Sequence, residues 1–387
     1  MSMSDNKETS VTDETRGGPA SGRMTGGVTA GTRVTRRPVT GSTDSGPVIW
    51  RWLRTKASGN NSMVLITFAL FVLIYVIGSV AYSNKNFGSL NSFFDMLNSN
   101  PGLIVIAAGM TMVIIAGGID ISVGGQVAMY CMMLAFFMRD GANAYVMIAV
   151  VLVTGVVFGL VQGTLVAYFR IQPFIVSLAG MFFARGMTAV ISPDTIEITN
   201  KDFTALAKYK IYFPFGGYAN AQGVFQRPFV YPQVVLAVVM VLILWIIMTR
   251  TKFGRSVYAV GGSEQSAMLM GLNVKRIKLA VYTFNGFLTA YGGFLFCLFS
   301  PGGSVEKAPA FEMKAIASAV IGGAMLTGGV GNILGSFIGV LVQTAIAKII
   351  NFQGSLSNGW SEITLAVLMS VFIILQAILV SVRRKRK

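Results

Sequence analysis

The sequence predicts an all-α integral membrane protein with about ten transmembrane helices. Of its 387 residues, 53% are hydrophobic and only 12% are charged, whereas soluble globular proteins carry about 25% charged residues. Apolar runs recur along most of the chain, and several approach the roughly 20 residues that a helix needs to cross a bilayer. Composition and periodic apolar runs together exclude an ordinary soluble fold.

The first 49 residues differ in composition from the rest of the chain. They are rich in Ser, Thr and Gly and contain no aromatic residue. Such a segment buries too little apolar surface to offset its chain entropy, so we expect residues 1–49 to form a disordered cytoplasmic tail. The stretch also lacks the apolar core of a signal peptide. The transmembrane domain is therefore predicted to occupy residues 50–387.

Ten apolar stretches are the candidate spans, and several are shorter than the usual spanning length. In chain order they cover residues 63–81, 103–117, 123–138, 145–169, 173–191, 231–248, 277–299, 315–326, 333–350 and 363–382.

Basic residues follow the positive-inside rule. An even number of spans puts both strongly basic chain ends on one side, and segment 250–278 falls on that side with Glu264 as its single acid. Segment 192–229 falls on the other side, where acids and bases nearly balance. We therefore predict cytoplasmic N- and C-termini. The net charge of +16 reflects these loops rather than nucleic-acid binding.

The run AGGIDISVGGQ interrupts two short apolar stretches between Ala116 and Gln126. Neither neighbouring helix is long enough to cross the hydrocarbon core, so the break is expected inside protein or beside a watery path. Asp120 precedes the next helix and can accept hydrogen bonds from its free N–H groups, with Ser122 as the competing cap. Alternatively, Asp120 binds a polar solute, as intramembrane carboxylates often do. We favour the cap.

Other polar residues are predicted at membrane depth. Amide side chains both donate and accept hydrogen bonds, which suits sugar hydroxyls, but each can equally join two helices. Arg185 is expected to snorkel or to pair with a carboxylate. The candidates for a substrate path are Asp120, Ser122, Gln126, Gln162 and Asn285.

Several classes of chemistry are excluded by composition. The chain contains no histidine, which removes imidazole metal ligands and His-based acid–base catalysis. Cys131 and Cys297 lie in apolar runs, so no disulfide framework is implied. No GxxxxGK[ST] phosphate-binding loop occurs. We predict no catalytic residue, no metal site and no cofactor bound by this chain.

The cytoplasmic segment 250–278 contains a short helix signal. Ser263 can cap the helix, Glu264 follows in its first turn, and Gly271 before Leu272 indicates a left-handed stop. The two turns between them need a packing surface. That surface is either the chain's own membrane domain or a cytoplasmic partner. The residues of this candidate docking helix are Ser263, Glu264, Gln265, Ala267, Met268 and Gly271.

A glycine pattern indicates an internal repeat. Gly155, Gly159 and Gly163 are spaced four apart, as are Gly331, Gly335 and Gly339, at an offset of 176 residues. The same offset relates the second span to the seventh, which run in opposite directions. This predicts an inverted-topology repeat, as in many transporters. The alternative is that small residues simply allow close helix packing.

Four segments together resemble the permease subunits of bacterial ABC-type monosaccharide importers, the ribose, galactose, xylose and galactofuranose group. They are GGIDISVG, FRIQPFIVSLAGMFFARG, FGRSVYAVGGSEQSAMLMGLNVKRIK and IASAVIGGAMLTGGVGNILGSFIGVLV. In this order they cover most of residues 104–350. Two positions depart from the family pattern, because Gln162 stands where Asn is frequent and Asn285 where a small residue is common.

The resemblance implies a type II-like ABC importer permease in the bacterial cell membrane. It implies that two permease subunits pair above ABC ATPase subunits, which bind ATP and Mg²⁺. Within the family, an importer with two different permease subunits is the nearer match. It also implies an extracytoplasmic solute-binding protein that delivers a monosaccharide, with fructose or another furanose or pentose as the nearest match. The docking helix at 263–272 would then be the ATPase-coupling helix.

Three alternatives stay open. An ABC permease for nucleosides or branched-chain amino acids would share the late Gly-rich spans but usually lacks the Asp-Ile-Ser form of the break. A stand-alone secondary transporter would need coupling carboxylates in the membrane, of which Asp120 is the only clear one. A membrane scaffold would need neither the breaks nor the repeat.

Overall fold

The computed structural model describes residues 61–214, 216–219, 225–354 and 358–385. The predicted tail and the first residues of the predicted transmembrane domain lie outside this range. Helices make up most of the described chain, and each of the ten predicted spans is helical over all or most of its length.

The described helices are numbered in chain order, and a short 3-10 turn at Ser83–Lys85 follows the first of them. They are α1 (Asn61–Ala81), α2 (Leu90–Asn98), α3 (Pro101–Ile115), α4 (Val123–Arg139), α5 (Ala144–Ala167), α6 (Pro173–Ile191), α7 (Lys201–Lys208), α8 (Pro232–Arg250), α9 (Lys252–Gly262), α10 (Glu264–Leu269), α11 (Val274–Phe299), α12 (Phe311–Ile321), α13 (Ile333–Gln353) and α14 (Asn358–Lys385).

Six of these helices are long and apolar enough to cross a membrane, namely α1, α5, α6, α8, α11 and α13. Helices α2 and α3 pass the same test together as one broken span, with an angle of 63° between them. Helix α4 has 17 residues and α12 has 11. By length and composition the described chain thus has six or seven candidate spans, fewer than the ten predicted.

The short helices are enclosed by other helices, which is why they can be short. Every residue of α3 is buried, so its apolar character all round reflects a core helix rather than a lipid-facing one. Helix α11 lies at the centre of the bundle and packs against α3, α4 and α5. The break between α3 and α4 is therefore inside protein, as predicted.

Glycines allow α5 and α11 to approach closely. A Cβ atom on Gly286 would lie 2.7 Å from the Cα of Gly159, and one on Gly163 would lie 2.9 Å from the carbonyl oxygen of Leu279. No larger residue fits without moving the helices apart. The predicted close packing through small residues is confirmed for this pair.

The second glycine ladder has different neighbours. A Cβ on Gly339 would lie 2.9 Å from the carbonyl carbon of Ser318 on α12, and one on Gly335 would lie 3.0 Å from the carbonyl carbon of Gly322. Gly331 instead faces the side chain of Ile115. Under the offset of 176 residues, α3 is the counterpart of α11, which packs against the first ladder. A repeat would therefore place the second ladder mainly against α3. The observed packing does not establish the inverted repeat.

Three pairs of two-residue antiparallel strands join the loops. β1 (Ile196–Glu197) pairs with β6 (Gly302–Gly303), with Ile196 opposite Gly303. β2 (Ile211–Tyr212) pairs with β5 (Phe229–Val230), and β3 (Tyr218–Ala219) pairs with β4 (Phe225–Gln226). The first pair ties the loop after α6 to the loop after α11.

Candidate functional site

The break between α3 and α4 is built on a left-handed glycine and is closed by a distant loop. Gly117 has φ +82°, a conformation that a residue with a side chain adopts only with strain. The carbonyl oxygen of Ile115, at the end of α3, accepts a hydrogen bond of 2.9 Å from the backbone N–H of Gly329. The loop after α12 thus satisfies one of the free carbonyls at this helix end.

Asp120 is buried in this break, with 1% of its surface exposed. Its Oδ1 accepts hydrogen bonds from the backbone N–H of Ser122, at 3.0 Å, and from the Ser122 hydroxyl. Its Oδ2 accepts from the Nδ2 of Asn285 on α11, at 2.8 Å. Three donors therefore hold a carboxylate that would otherwise be too costly to bury.

Ser122 is the centre of the same network. Besides donating to Asp120, its Oγ accepts from the Nε2 of Gln126 at 2.6 Å and from the Nε2 of Gln162 at 2.9 Å. The Oε1 of Gln126 accepts from the hydroxyl of Tyr130 at 2.8 Å. All five predicted path residues thus lie in one buried network, which we call the break network and which also includes Tyr130.

The predicted cap is only partly formed. Ser122 is the N-cap residue of α4, and its side chain makes no capping hydrogen bond. Asp120 accepts from the N–H of Ser122 itself, one residue before the helix begins, rather than from the N–H groups inside α4. The carboxylate thus stabilises the turn that leads into α4.

Some polar atoms in or next to the network have no hydrogen-bond partner among the described residues. They include the Oε1 of Gln162, the Oδ1 of Asn285 and the hydroxyl of Tyr282. Sequence reasoning missed Tyr130 and Tyr282, although their spacing of four and three residues from Gln126 and Asn285 puts each pair on one helix face.

A second carboxylate was also missed by the sequence reasoning. The Oε2 of Glu312, in the first turn of α12, is buried without a hydrogen-bond partner among the described residues. It faces Gly124 at the start of α4. Asp120 is therefore not the only carboxylate beside the break. The predicted span 315–326 starts four residues after the observed helix begins at Phe311, and therefore omits Glu312.

An apolar groove of about 790 Å³ lies between α4, α5 and α6. Gln162 is the member of the break network that contributes to its wall. The other lining residues include Met129, Met133, Phe158 and Phe183. Gln162 thus connects the break network to this groove.

Arg185 satisfies backbone rather than a carboxylate. Its guanidinium donates to the carbonyl oxygens of Val305 and Lys307, each at 2.7 Å, and to that of Ala308 at 3.2 Å. Ala308 has φ +54°. The arginine thus holds the loop before α12 in place, and the predicted carboxylate pair is not found among the described residues.

The short helix predicted within segment 250–278 forms. α10 begins after Ser263, whose Oγ accepts a hydrogen bond of 3.2 Å from the N–H of Ser266. Gly271 has φ +80°, which ends the helix in the left-handed conformation. Ala267 is fully buried against Val260 and Val274, so one face of α10 packs on the chain itself.

The other face of α10 is apolar and exposed. Met268 is 52% exposed, Leu269 90% and Met270 67%. We call these three residues the α10 patch. Glu264 pairs with Lys278 on α11, with 2.6 Å between Oε2 and Nζ. Gln265 is exposed. The first interpretation is confirmed, because the helix packs on its own domain. Docking to a partner stays a prediction, and the α10 patch is the surface available for it.

Comparison with known families gives one match over most of the chain. The model of the family described as branched-chain amino acid transport system / permease component matches residues 92–375. The chain belongs to this permease family. The matched range contains the break network and α10, so both features lie in the part of the permease that the family shares.

Individual relatives extend the match. The permease is 37% identical to the inner membrane ABC transporter permease protein YjfF of Escherichia coli, over 82% of this chain and 92% of the relative. It is 31% identical to the fructose import permease protein FruG of Bifidobacterium longum, over 84% of this chain and 93% of the relative. It is 32% identical to the ribose import permease protein RbsC of Escherichia coli, over 82% of this chain and 94% of the relative. Comparison with solved structures finds no match.

Proposed function

We propose that this chain is the membrane-spanning permease subunit of an ATP-driven ABC importer for a monosaccharide. The observation that carries the proposal is similarity to import permeases named for fructose and ribose over more than four fifths of this chain. The break network lies within the aligned family range and contains the amide and hydroxyl groups that suit a polyol. The sugar itself is left open between ribose, fructose, galactose and related furanoses.

ATP hydrolysis is proposed to occur on a separate ATPase subunit that holds ATP and Mg²⁺. The α10 patch supports this, because two Met and one Leu on an exposed turn form an adaptable apolar contact. Ala267 anchors the opposite face of α10 to the membrane domain. A push on the patch would therefore reach α9 and α11 through buried contacts.

The proposed architecture has ten spans with both termini cytoplasmic, of which the described helices account for six or seven by length. Helices α4, α12 and α14 complete the count, with α4 and α12 each beginning inside the protein after a break. A second permease subunit, preferably a different chain, and an extracytoplasmic binding protein complete the importer. The inverted repeat belongs to this proposal and rests on the glycine spacing.

The break network is proposed to border the substrate path when the importer opens. Its members are almost fully buried in this conformation, and three nearby polar atoms have no partner among the described residues. Incoming hydroxyl groups would supply partners for the Oε1 of Gln162 and the Oδ1 of Asn285. Asp120 would hold α4 in register and contact sugar only if Asn285 withdraws.

Reconstitution tests this proposal. Proteoliposomes would contain the permease alone, or the permease with its ATPase, second permease and binding protein. Labelled ribose, fructose and galactose would be supplied with and without ATP. We expect uptake of at least one sugar only in the complete, ATP-loaded vesicles. Uptake by the permease alone along an ion gradient would instead identify a secondary transporter.

One alternative has a specific observation in its favour. The description of the matching family names the transport of branched-chain amino acids. The same vesicles should therefore be offered labelled leucine and a nucleoside. ATP-dependent uptake of either, without uptake of any sugar, would retain the ABC permease and replace the substrate class.

A further inference from the structure

A polar pocket of about 540 Å³ lies at the end of the bundle opposite α10. Phe229 in its wall precedes the start of α8, and α10 follows the end of α8, which is 19 residues and about 28 Å long. The pocket is lined by Lys85, Asn86, Ser89, Asn91, Ser92, Asp95, Asn98, Lys210, Tyr212, Phe225, Arg227, Phe229, Lys348 and Phe352. Nothing in the proposed transport cycle uses it.

Four cations and one carboxylate line this pocket. Lys348 pairs with Asp95, with 2.8 Å between Nζ and Oδ2. Lys85 donates to the backbone carbonyl oxygen of Phe352. Lys210 lies 4.4 Å above the ring of Phe229, and neither it nor Arg227 has an ion pair with a described carboxylate. The described lining residues therefore carry a net positive charge, and Lys210 and Arg227 are the two cations without a described carboxylate partner.

A buried hydroxyl also points to a ligand. Ser92 is only 7% exposed, lines the pocket, and has no hydrogen-bond partner for its Oγ among the described residues. A serine hydroxyl can donate to an anionic oxygen. Together with the lysines it forms the donor set that a phosphate group requires.

The surface next to the pocket is apolar and faces outward. Lys85 and Asn86 follow α1 directly, and the last turns of α1 expose Val76, Ile77 and Val80 at 51%, 55% and 74%. Because Lys85 also lines the pocket, an anion bound there would lie near the end of a lipid-facing helix. This arrangement suits an amphipathic ligand with an anionic head and acyl chains. Basic pockets between membrane helices bind such head groups on the cytoplasmic side, and the same attraction between opposite charges acts at the other face.

We propose that this pocket binds the phosphate head group of an anionic phospholipid in the leaflet opposite α10. Lys210, Arg227 and the hydroxyl of Ser92 contact the phosphate, and the acyl chains lie along α1. Lys348 and Lys85 shape the pocket through Asp95 and the Phe352 carbonyl. The bound lipid joins α1, α2 and α13 to the β2–β5 loop and stabilises this end of the permease.

Native mass spectrometry of the full-length permease tests the site without knowledge of the transported solute. Phosphatidylglycerol and phosphatidylcholine would be added separately to detergent-purified protein. We expect preferential binding of one phosphatidylglycerol. The double substitution Lys210→Gln/Arg227→Gln should lower that preference by about 30-fold, because each cation near an anionic surface contributes roughly fivefold.

Lys201→Gln/Lys208→Gln is the matched control, since both lysines are exposed on α7 and lie outside the pocket. It should leave the preference unchanged, and both double variants should keep the wild-type melting temperature in detergent without phospholipid. Equal binding of the two lipids by the wild type, or an equal effect of both double variants, would overturn the proposal.

A further arm separates the head group from free phosphate. Inorganic phosphate at millimolar concentration should raise the melting temperature less than phosphatidylglycerol does. An equal rise would show a small-anion site and overturn the lipid assignment. A loss of binding-protein association in the Lys210→Gln/Arg227→Gln variant, with the phosphatidylglycerol preference intact, would reassign the pocket to protein docking.

Discussion

At the scale of single residues, the break network shows how a carboxylate is kept inside a membrane protein. Asp120 receives three hydrogen bonds, two from its neighbour Ser122 and one from Asn285 on another helix. Ser122 uses its hydroxyl both as a donor to Asp120 and as an acceptor from two amides. Each member depends on the others, so removing one leaves a buried polar atom unpaired.

Asn285→Ala tests this dependence. The substitution removes the donor to the Oδ2 of Asp120 and leaves that oxygen buried without its partner. We expect a loss of about 1–3 kcal/mol in stability, measured as a lower melting temperature in detergent. Thr283→Ala on the same helix is the control, because among the described residues the Thr283 hydroxyl donates to the carbonyl oxygen of Leu279 in its own helix. Equal melting temperatures for both variants would contradict the network.

At the scale of elements, short helices are stable here because their ends and one face are held. α10 has six residues, too few to be stable alone in water. Ser263 satisfies its start, Gly271 ends it, and Ala267 packs under Val260 and Val274. The α10 patch can therefore change without unfolding the helix.

Leu269→Glu should separate docking from folding. Leu269 is 90% exposed, so the melting temperature should stay within experimental error. Association with the ATPase should fall by at least about tenfold, since a buried apolar contact would become a buried charge. Co-purification with the ATPase measures this, and Arg255→Glu on the exposed side of α9 serves as the charge control. Undiminished association would remove α10 from the ATPase interface.

The crossing of α5 and α11 is a second property of elements. Gly286→Ala places a methyl group 2.7 Å from the Cα of Gly159, so the helices must separate. We expect a loss of about 1–3 kcal/mol. Gly186→Ala on α6 is the matched control, because a Cβ there meets no atom within 4 Å and alanine favours helix. Thermal unfolding of both variants would show whether only Gly286 is sensitive.

At the scale of the whole molecule, α8 separates two chemically different ends. The end of α8 leads into the basic segment with α9 and α10. Its start follows the β2–β5 strand pair beside the polar pocket. The two ends should therefore lie on opposite sides of the membrane, with the basic segment in the cytoplasm.

Single cysteines at Lys208 and Gln265 test this arrangement in cells. Both positions are exposed, one on α7 and one on α10. A membrane-impermeant thiol reagent should label Lys208→Cys in intact cells or spheroplasts, and Gln265→Cys only after permeabilisation. The native Cys131 and Cys297 are buried and should label little. Labelling of both introduced cysteines from the same side would overturn the topology.

Much of the local structure follows from the sequence because its causes are local. Pro173 begins α6 and the apolar run ends at Ile191, so the predicted and observed bounds coincide. Ser263 and Gly271 likewise delimit α10. The number of full spans was harder to predict from the sequence, because α3, α4 and α12 are short helices enclosed by others. Enclosure depends on distant parts of the chain.

The sequence by itself determined that this is a helical membrane permease, where its helices lie, and which polar residues are candidates for the path. Hydrophobic run length, caps and glycine stops are local, and the motifs lie in continuous segments. Only the tertiary structure decided that Asp120 bonds to Asn285, that Arg185 holds the loop at 305–308, and that Lys85, Lys210 and Lys348 share one pocket. These contacts join residues more than 100 positions apart, and only helix packing brings them together.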